Sequence, residues 1–223
     1  AAVSSDVAAA LQGKVRALGW ASTRVTGQPE GRQLNILAAA ARLDGVTIPP
    51  GGEFSFLRAI GPVSAEGGFD MAQVEAGGGG ALGGGLEQVA TGFFRAALWS
   101  GLVITERSAG AARAAWVEPP VGLDAAVAPP DVDLRFVNDT DGHLIFGCEV
   151  DPGRGTLVTT VIGAPPARKV SLIGPVVEAL AAPGAGVTRL DARLGSGERE
   201  QAQWARHGGE VSYQRVVRDP ETG

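Results

Sequence analysis

One thiol and two imidazoles, Cys148, His143 and His207, are the only cysteine and histidine side chains of this 223-residue chain. A lone cysteine forms no internal disulfide, and these three residues supply too few ligands for a zinc site. Cys148 lies in Ile145-Phe146-Gly147-Cys148-Glu149-Val150, a strand-like run in which a buried, inert thiol is expected. His143 follows a glycine turn, and His207 sits in the loop-like run Ala205 to Gly209. No metal and no cofactor is expected. What remains is carboxylate and amide chemistry. Glu87 and Gln88 follow a glycine tract, and Asp124 follows Gly122-Leu123. Two carboxylates are the minimum equipment for acid–base work on a glycan or an amide. In the first turn of a helix the dipole favours a negative side chain by roughly 0.3–1 kcal/mol. Glu87 therefore has three readings: a solvated first-turn glutamate, a ligand-binding carboxylate, or an acid–base group. Gln88 is either an exposed helix residue or a donor into a cleft, and Asp124 a turn aspartate or a site residue. Trp116 belongs to the core or to a cleft mouth. The exposed amides of Gly84 and Gly85 would suit an anion or a peptide carboxylate.

These groups need elements to hold them. The tract Gly77 to Gly85 leads into a helix expected over Leu86–Ser100, with Leu86, Val89, Phe93, Ala96 and Ala97 on its apolar side and Trp99 in the core. Ser5 would cap an earlier helix ending at Leu18, with Val7, Ala10, Leu11, Val15 and Leu18 as its stripe. Trp20 to Val25 reads as a strand, Gly31 to Leu43 as a helix carrying Leu34, Leu37, Ala38 and Ala41 as its apolar residues, and Pro49-Pro50-Gly51-Gly52 as a forced turn before the strand Glu53 to Phe56. Further strands are expected at Leu102–Thr105, Asp133–Val137, His143–Val150 and Thr156–Ile162, the last three as an antiparallel meander. Helices first and strands after them indicate an α+β fold, with helices packed on an antiparallel sheet. The domain is expected over 1–163, with the helix 5–18 leading in. Beyond Ala164-Pro165-Pro166, residues 164–223 form a linker and a small β-rich segment with strands near Val170–Ile173 and Val211–Val217. The run Gly78-x-Gly80-x-x-Gly83 imitates a dinucleotide fingerprint, but Phe69 to Glu75 is a poor buried parallel strand.

Composition narrows the partners. The net charge is −5, which argues against a nucleic-acid surface. Apolar residues make up 44 % of the chain, enough for a substantial core. No run approaches the ~20 apolar residues of a transmembrane helix.

Several local motifs stand in a set order: Asn35 to Gly45, Ile48 to Phe56, Gly83-Gly84-Gly85-Leu86-Glu87-Gln88-Val89-Ala90-Thr91, Gly101 to Arg107, Gly122 to Val127 and Asp133 to Thr140. Together they resemble the VanW family, which takes its name from bacterial vancomycin-resistance clusters. The resemblance implies a place in the bacterial cell envelope, outside the cytoplasm, and contact with peptidoglycan peptide or glycan or with an envelope protein. The family pattern has cysteine after Gly-Gly-Gly-apolar, histidine after Glu-Arg, and then Asp-Ala-Thr. That is the chain order of papain-like and transglutaminase-like hydrolases. This sequence departs at two of the three places. Glu87 stands at the cysteine position, and Ser108-Ala109-Gly110-Ala111-Ala112 has no histidine; Asp124 remains. The resemblance thus implies a member without cysteine chemistry, a pseudoenzyme that binds or scaffolds through Glu87, Gln88, Gly84, Gly85, Asp124 and Trp116. The alternative is a hydrolase that uses Glu87 and Asp124 in place of the family's cysteine and histidine.

Overall fold

The computed structural model describes residues 15–73, 80–111, 116–117, 119–151, 153–164, 168–192, 194–201, 205 and 207–218. It is an α+β fold of antiparallel sheets covered by helices. Strand β1 (Arg16–Arg24) and helix α1 (Glu30–Leu43) come first, then the short strands β2 (Val46–Ile48) and β3 (Glu53–Ser55) and the single-turn helix α2 (Phe56–Ile60). A small hairpin, β4 (Met71–Gln73) and β5 (Gly80–Leu82), precedes helix α3 (Leu86–Trp99) and strand β6 (Val103–Glu106). Strands β7 (Arg135–Val137), β8 (Leu144–Asp151), β9 (Thr156–Gly163), β10 (Lys169–Ala181) and β11 (Gly208–Arg218) follow. One sheet has the order β1-β9-β8-β2, a second β3-β7-β6, and β4-β5 and β10-β11 are two-stranded. The glycine tract therefore follows an antiparallel hairpin, which is not the setting of a dinucleotide loop.

Helix α3 is the centre of the molecule. Every residue from Gln88 to Leu98 is buried, so the helix is enclosed on all sides rather than along one stripe. Glycine lets it lie close to the first sheet. A Cβ on Gly92 would stand 2.6 Å from Thr159 Oγ1, and one on Gly19 of β1 would stand 2.7 Å from the Ala96 carbonyl oxygen. Phe93 then reaches both sheets at once. Its ring stacks on Phe54 of β3 at 5.3 Å and on Phe146 of β8 at 5.1 Å, while Phe136 of β7 lies 4.6 Å from Phe54. Trp99, expected in the core, is at the surface, because the last residue of α3 has passed beyond the sheet.

Two expectations are corrected. Arg16 to Leu18 are not helical: they open β1, pairing Arg16 with Gly163 and Ala17 with Ile162. The spacing of Val15 and Leu18 imitates a helix stripe, but a long-range partner strand takes the backbone hydrogen bonds. Val15, expected in the same stripe, is not helical and is exposed, and residues 5–14 lie outside the described residues. The meander is also divided. β8 and β9 form a hairpin, whereas β7 joins β3 and β6. Asn138 is the cause. It is fully buried, and its amide donates to the carbonyls of Ile48 and Gly142 at 2.9 and 2.8 Å while its oxygen accepts from Thr140. Its backbone exchanges hydrogen bonds with Gly51 and Gly52, which holds the exit of β7 against the proline–glycine turn.

The β10–β11 hairpin seats on the body through its base. Arg168 donates to the Gly101 carbonyl at 3.1 Å and pairs with Asp139 at 2.8 Å; Arg215 donates to the Leu102 carbonyl at 3.0 Å. Leu172 and Tyr213 pack on the core. Farther out, Ile173, Val176 and Val177 are exposed.

Gly92→Ala tests the close approach of α3. Helix propensity would favour alanine by roughly 1 kcal/mol, whereas forcing an extra carbon into a packed contact costs typically about 1–3 kcal/mol. The clash with Thr159 should win, and a denaturant melt should show a net loss. A variant that melts at or above the parent would place the helix farther from the sheet.

Candidate functional site

The start of α3 is built by glycine and by α1. Gly83 and Gly85 have φ of 76° and 110°, a region that favours glycine, and a Cβ on Gly85 would lie 3.1 Å from the Arg32 carbonyl oxygen. Asn35 of α1 is fully buried. Its amide donates to the carbonyls of Gly84 and Asp70 at 2.9 and 3.0 Å, and its oxygen accepts from the Asp70 N–H at 2.8 Å. Gly84 and Gly85 are thus buried against α1, and the tract works as a close-packed ledge under the helix start.

Gln88 points inward, only 1 % exposed. Its amide donates to Thr23 Oγ1 at 3.1 Å and to the Arg24 carbonyl at 2.9 Å, and its oxygen accepts from Gln28 Nε2 at 2.8 Å. Gln28 also donates to the Arg24 carbonyl, and its oxygen accepts from Arg32 Nε at 3.1 Å. Arg32 is 2 % exposed, and its guanidinium carbon lies 5.7 Å from the Trp116 ring. The result is a buried polar chain from Thr23 through Gln88 and Gln28 to Arg32, with Trp116, itself half-buried, over the cation. Gln28 and Arg32 are site-forming residues absent from the sequence-based set. A signal existed: Arg32 falls on the same stripe as Ile36, Ala39 and Leu43, an arginine where an apolar residue belongs.

Glu87 takes the opposite side of the same turn. It is half-buried, and among the described residues its carboxylate accepts no hydrogen bond. Burial pushes its pKa up, Arg32 pulls it back in part, and Asp124 pushes it up again. Burial is the largest of these influences, and no first-turn amide among the described residues donates to the Glu87 carboxylate.

Asp124 is held from several directions. Its carboxylate pairs with Arg107 at 3.1 Å and accepts from the Gly110 N–H at 2.7 Å. Arg107 also donates to the carbonyls of Asp124 and Gly122, each at 2.7 Å, and stacks over Phe94 at 5.1 Å. Buried Arg95 of α3 donates to the carbonyls of Leu123 at 2.6 Å, Val117 at 2.5 Å and Pro120 at 3.2 Å. Thr91 accepts from the Ala125 N–H at 2.9 Å, and Ser108 bridges to Ala126. The segment after Arg107 therefore runs beside Asp124. Gly110 touches Asp124, and the Asp124 charge acts on Glu87; positions 87, 110 and 124 carry a carboxyl, a bare backbone and a carboxylate.

Cys148 is elsewhere. It is 2 % exposed beneath the middle of α3, with Sγ 3.9 Å from Thr159 Oγ1, and burial pushes its pKa up to about 12. A thiol so placed has almost no thiolate at neutral pH. Among the described residues no cluster could hold a metal ion, and no helix is long and apolar enough to cross a membrane.

Glu87 makes the site visible in stability measurements. Its folded pKa lies above the unfolded value, so folding favours the protonated form. That contribution is full below the ordinary glutamate range and is lost as pH rises through the folded pKa. Glu87→Gln should therefore gain stability relative to the parent as pH rises across this window, with a constant gap above it. Melts of the two proteins over that range check this. A gap that widens as pH falls would reverse the sign of the burial effect.

A family model described as VanW like protein matches residues 31–161, more than half of the chain. No curated protein and no solved structure matches it. The matched range contains α1 from its second residue on, the glycine ledge, all of α3 and the Asp124 loop, and the chain belongs to the VanW-like family.

Proposed function

We propose that this VanW-like protein is a non-catalytic binding or scaffold domain of the bacterial cell envelope, and that its site is the surface formed by Glu87 and Asp124 beside Trp116. The reading places it outside the cytoplasm, with peptidoglycan peptide or glycan, or an envelope protein, as its partner. The observation that carries it is the contrast between the two carboxylates. Asp124 is occupied by Arg107 and the Gly110 N–H. Glu87 has an open carboxyl, half-buried and without a hydrogen-bond partner among the described residues. Acid–base hydrolysis asks two groups to act in concert. Here one is free and the other is clamped into a loop. A single open carboxyl suits recognition: it accepts from an amide or ammonium when ionised and donates to a carbonyl when protonated. Gln88, Gly84 and Gly85 support the site from beneath.

A soluble disaccharide-peptide fragment of peptidoglycan is the probe. Calorimetry should show saturable binding that weakens about tenfold in Glu87→Gln, roughly 1.4 kcal/mol, while chromatography shows the fragment intact after long incubation. Turnover that disappears in Glu87→Gln would overturn the reading in favour of carboxylate hydrolysis. Binding that is indifferent to position 87 would move the site elsewhere.

The family's chemistry offers a second check. Placing cysteine at 87 and histidine at 110 should return a thiol whose pKa falls below that of the Glu87→Cys single variant, read from alkylation rate against pH. A helix start and a neighbouring imidazole both favour thiolate. Identical profiles for the two variants would refute a common origin of this site with a cysteine–histidine pair.

A further inference from the structure

The C-terminal hairpin lies beyond the family match, which ends at residue 161, yet it reaches the loop that carries Asp124. Tyr213 of β11 donates its hydroxyl to the Val121 carbonyl at 2.7 Å. One residue on, Gly122 has φ of 74°, and a Cβ there would stand 2.7 Å from Val211 Cγ1. The backbone of the loop thus comes into direct contact with β11. From the other side Arg107 takes the Gly122 carbonyl, and Arg95 takes those of Pro120 and Leu123. Four consecutive carbonyls, Pro120 to Leu123, are therefore bound by three side chains from α3, the segment after β6, and β11. Asp124 is the next residue.

We propose that Tyr213 is a positioning residue for Asp124, and that the β10–β11 hairpin is a built-in wall of the Glu87–Asp124 site rather than an appendage to it. The inference rests on the reading of that pair as the site. Two arginines draw the loop toward α3, and Tyr213 with Val211 sets how far it can travel. Without the hydroxyl the Val121 carbonyl loses its bond to the hairpin. The loop then moves or fluctuates, and the Asp124 carboxylate no longer holds its place opposite Glu87.

The electrostatic coupling between the two carboxyls reads this directly. Among the described residues the charged groups that act on Glu87 are Arg32 and Asp124, and Arg107 pairs with the latter. The Glu87 side-chain carboxyl carbon is followed by NMR against pH in the full chain. Four proteins are compared: parent, Tyr213→Phe, Asp124→Asn and the double variant. Asp124→Asn should lower the Glu87 midpoint. Tyr213→Phe should lower it too, and should do so much less once Asp124 is asparagine. Val211→Ala, which thins the contact at Gly122 but leaves the hydroxyl, should act in the same direction. An unchanged Glu87 midpoint in Tyr213→Phe overturns the proposal. So does a drop of equal size with and without Asp124, which would mean that the hairpin acts only by general loosening. No ligand is involved, so failure of peptidoglycan binding would leave this result standing, and the reverse.

Discussion

A guanidinium with 2 % of its surface in water has to be satisfied from within the protein, and that of Arg32 determines how the three segments around it can meet. An unpaired buried charge costs several kcal/mol in practice, far more than any single contact nearby returns. Gln28, on the turn before α1, accepts from Arg32. The amide of Gln28 then has to donate, and it finds Gln88 and the Arg24 carbonyl. Gln88 in turn donates to Thr23 and Arg24. The end of β1, the start of α1 and the first turn of α3 are thereby joined in one hydrogen-bonded unit. Among the described residues no buried side-chain nitrogen or oxygen lacks a partner. Removing any member strands at least one other buried group.

The network also decides which first-turn residue faces out. With Gln88 drawn inward, Glu87 is turned to the rim. Two effects then compete. The helix start favours an anion by roughly 0.3–1 kcal/mol. Loss of water disfavours it, by as much as several pKa units in fully buried groups. For half-buried Glu87 burial is the largest influence and its direction is upward; Arg32 pulls the other way and Asp124 adds its repulsion. Asp124 shows the contrary case: with an arginine and a backbone N–H on its oxygens, its charge is balanced locally. The two carboxyls differ in environment, and that difference makes one an open group and the other a fixed neighbour.

Packing of the apolar core serves the same end. The ring of Phe93 contacts rings from both sheets, so α3 cannot shift along its axis without breaking stacks to Phe54 and Phe146. Gly92 and Gly19 remove the side chains that would hold the helix off the first sheet. A helix so confined presents its N-terminus at a constant place. The Asp124 loop is secured by Leu123, Ala125 and Val127 in the core, by arginine-to-carbonyl bonds and by the hairpin.

Much of this was legible in the sequence. Helix α3 follows from apolar periodicity, β8 and β9 from their strand-like runs, and the α+β class from the order of the elements; α1 is a helix as expected, but its expected stripe is corrected, because Leu34 and Leu37 are exposed and Ile36, Ala39, Ala40 and Leu43 face the core. The ordered motifs revealed the family. Burial of Cys148 followed from its strand. Tertiary structure alone decided the rest, because local pattern reports which face of an element is apolar and not which distant partner will cover it. Val15 and Leu18 keep helical spacing, but β9 claims the backbone of Arg16 to Leu18. β7 alternates like its neighbours, but Asn138 ties its end to a turn some 90 residues earlier. Gln88 reads as polar and exposed until Thr23 and Arg24, more than 60 residues away, draw it inside. Arg32 occupies an apolar stripe for a reason that appears only when Gln28 and Trp116 are brought against it. Each of these depends on hydrogen bonds closed over long stretches of chain, and no local window of sequence contains both ends of such a bond.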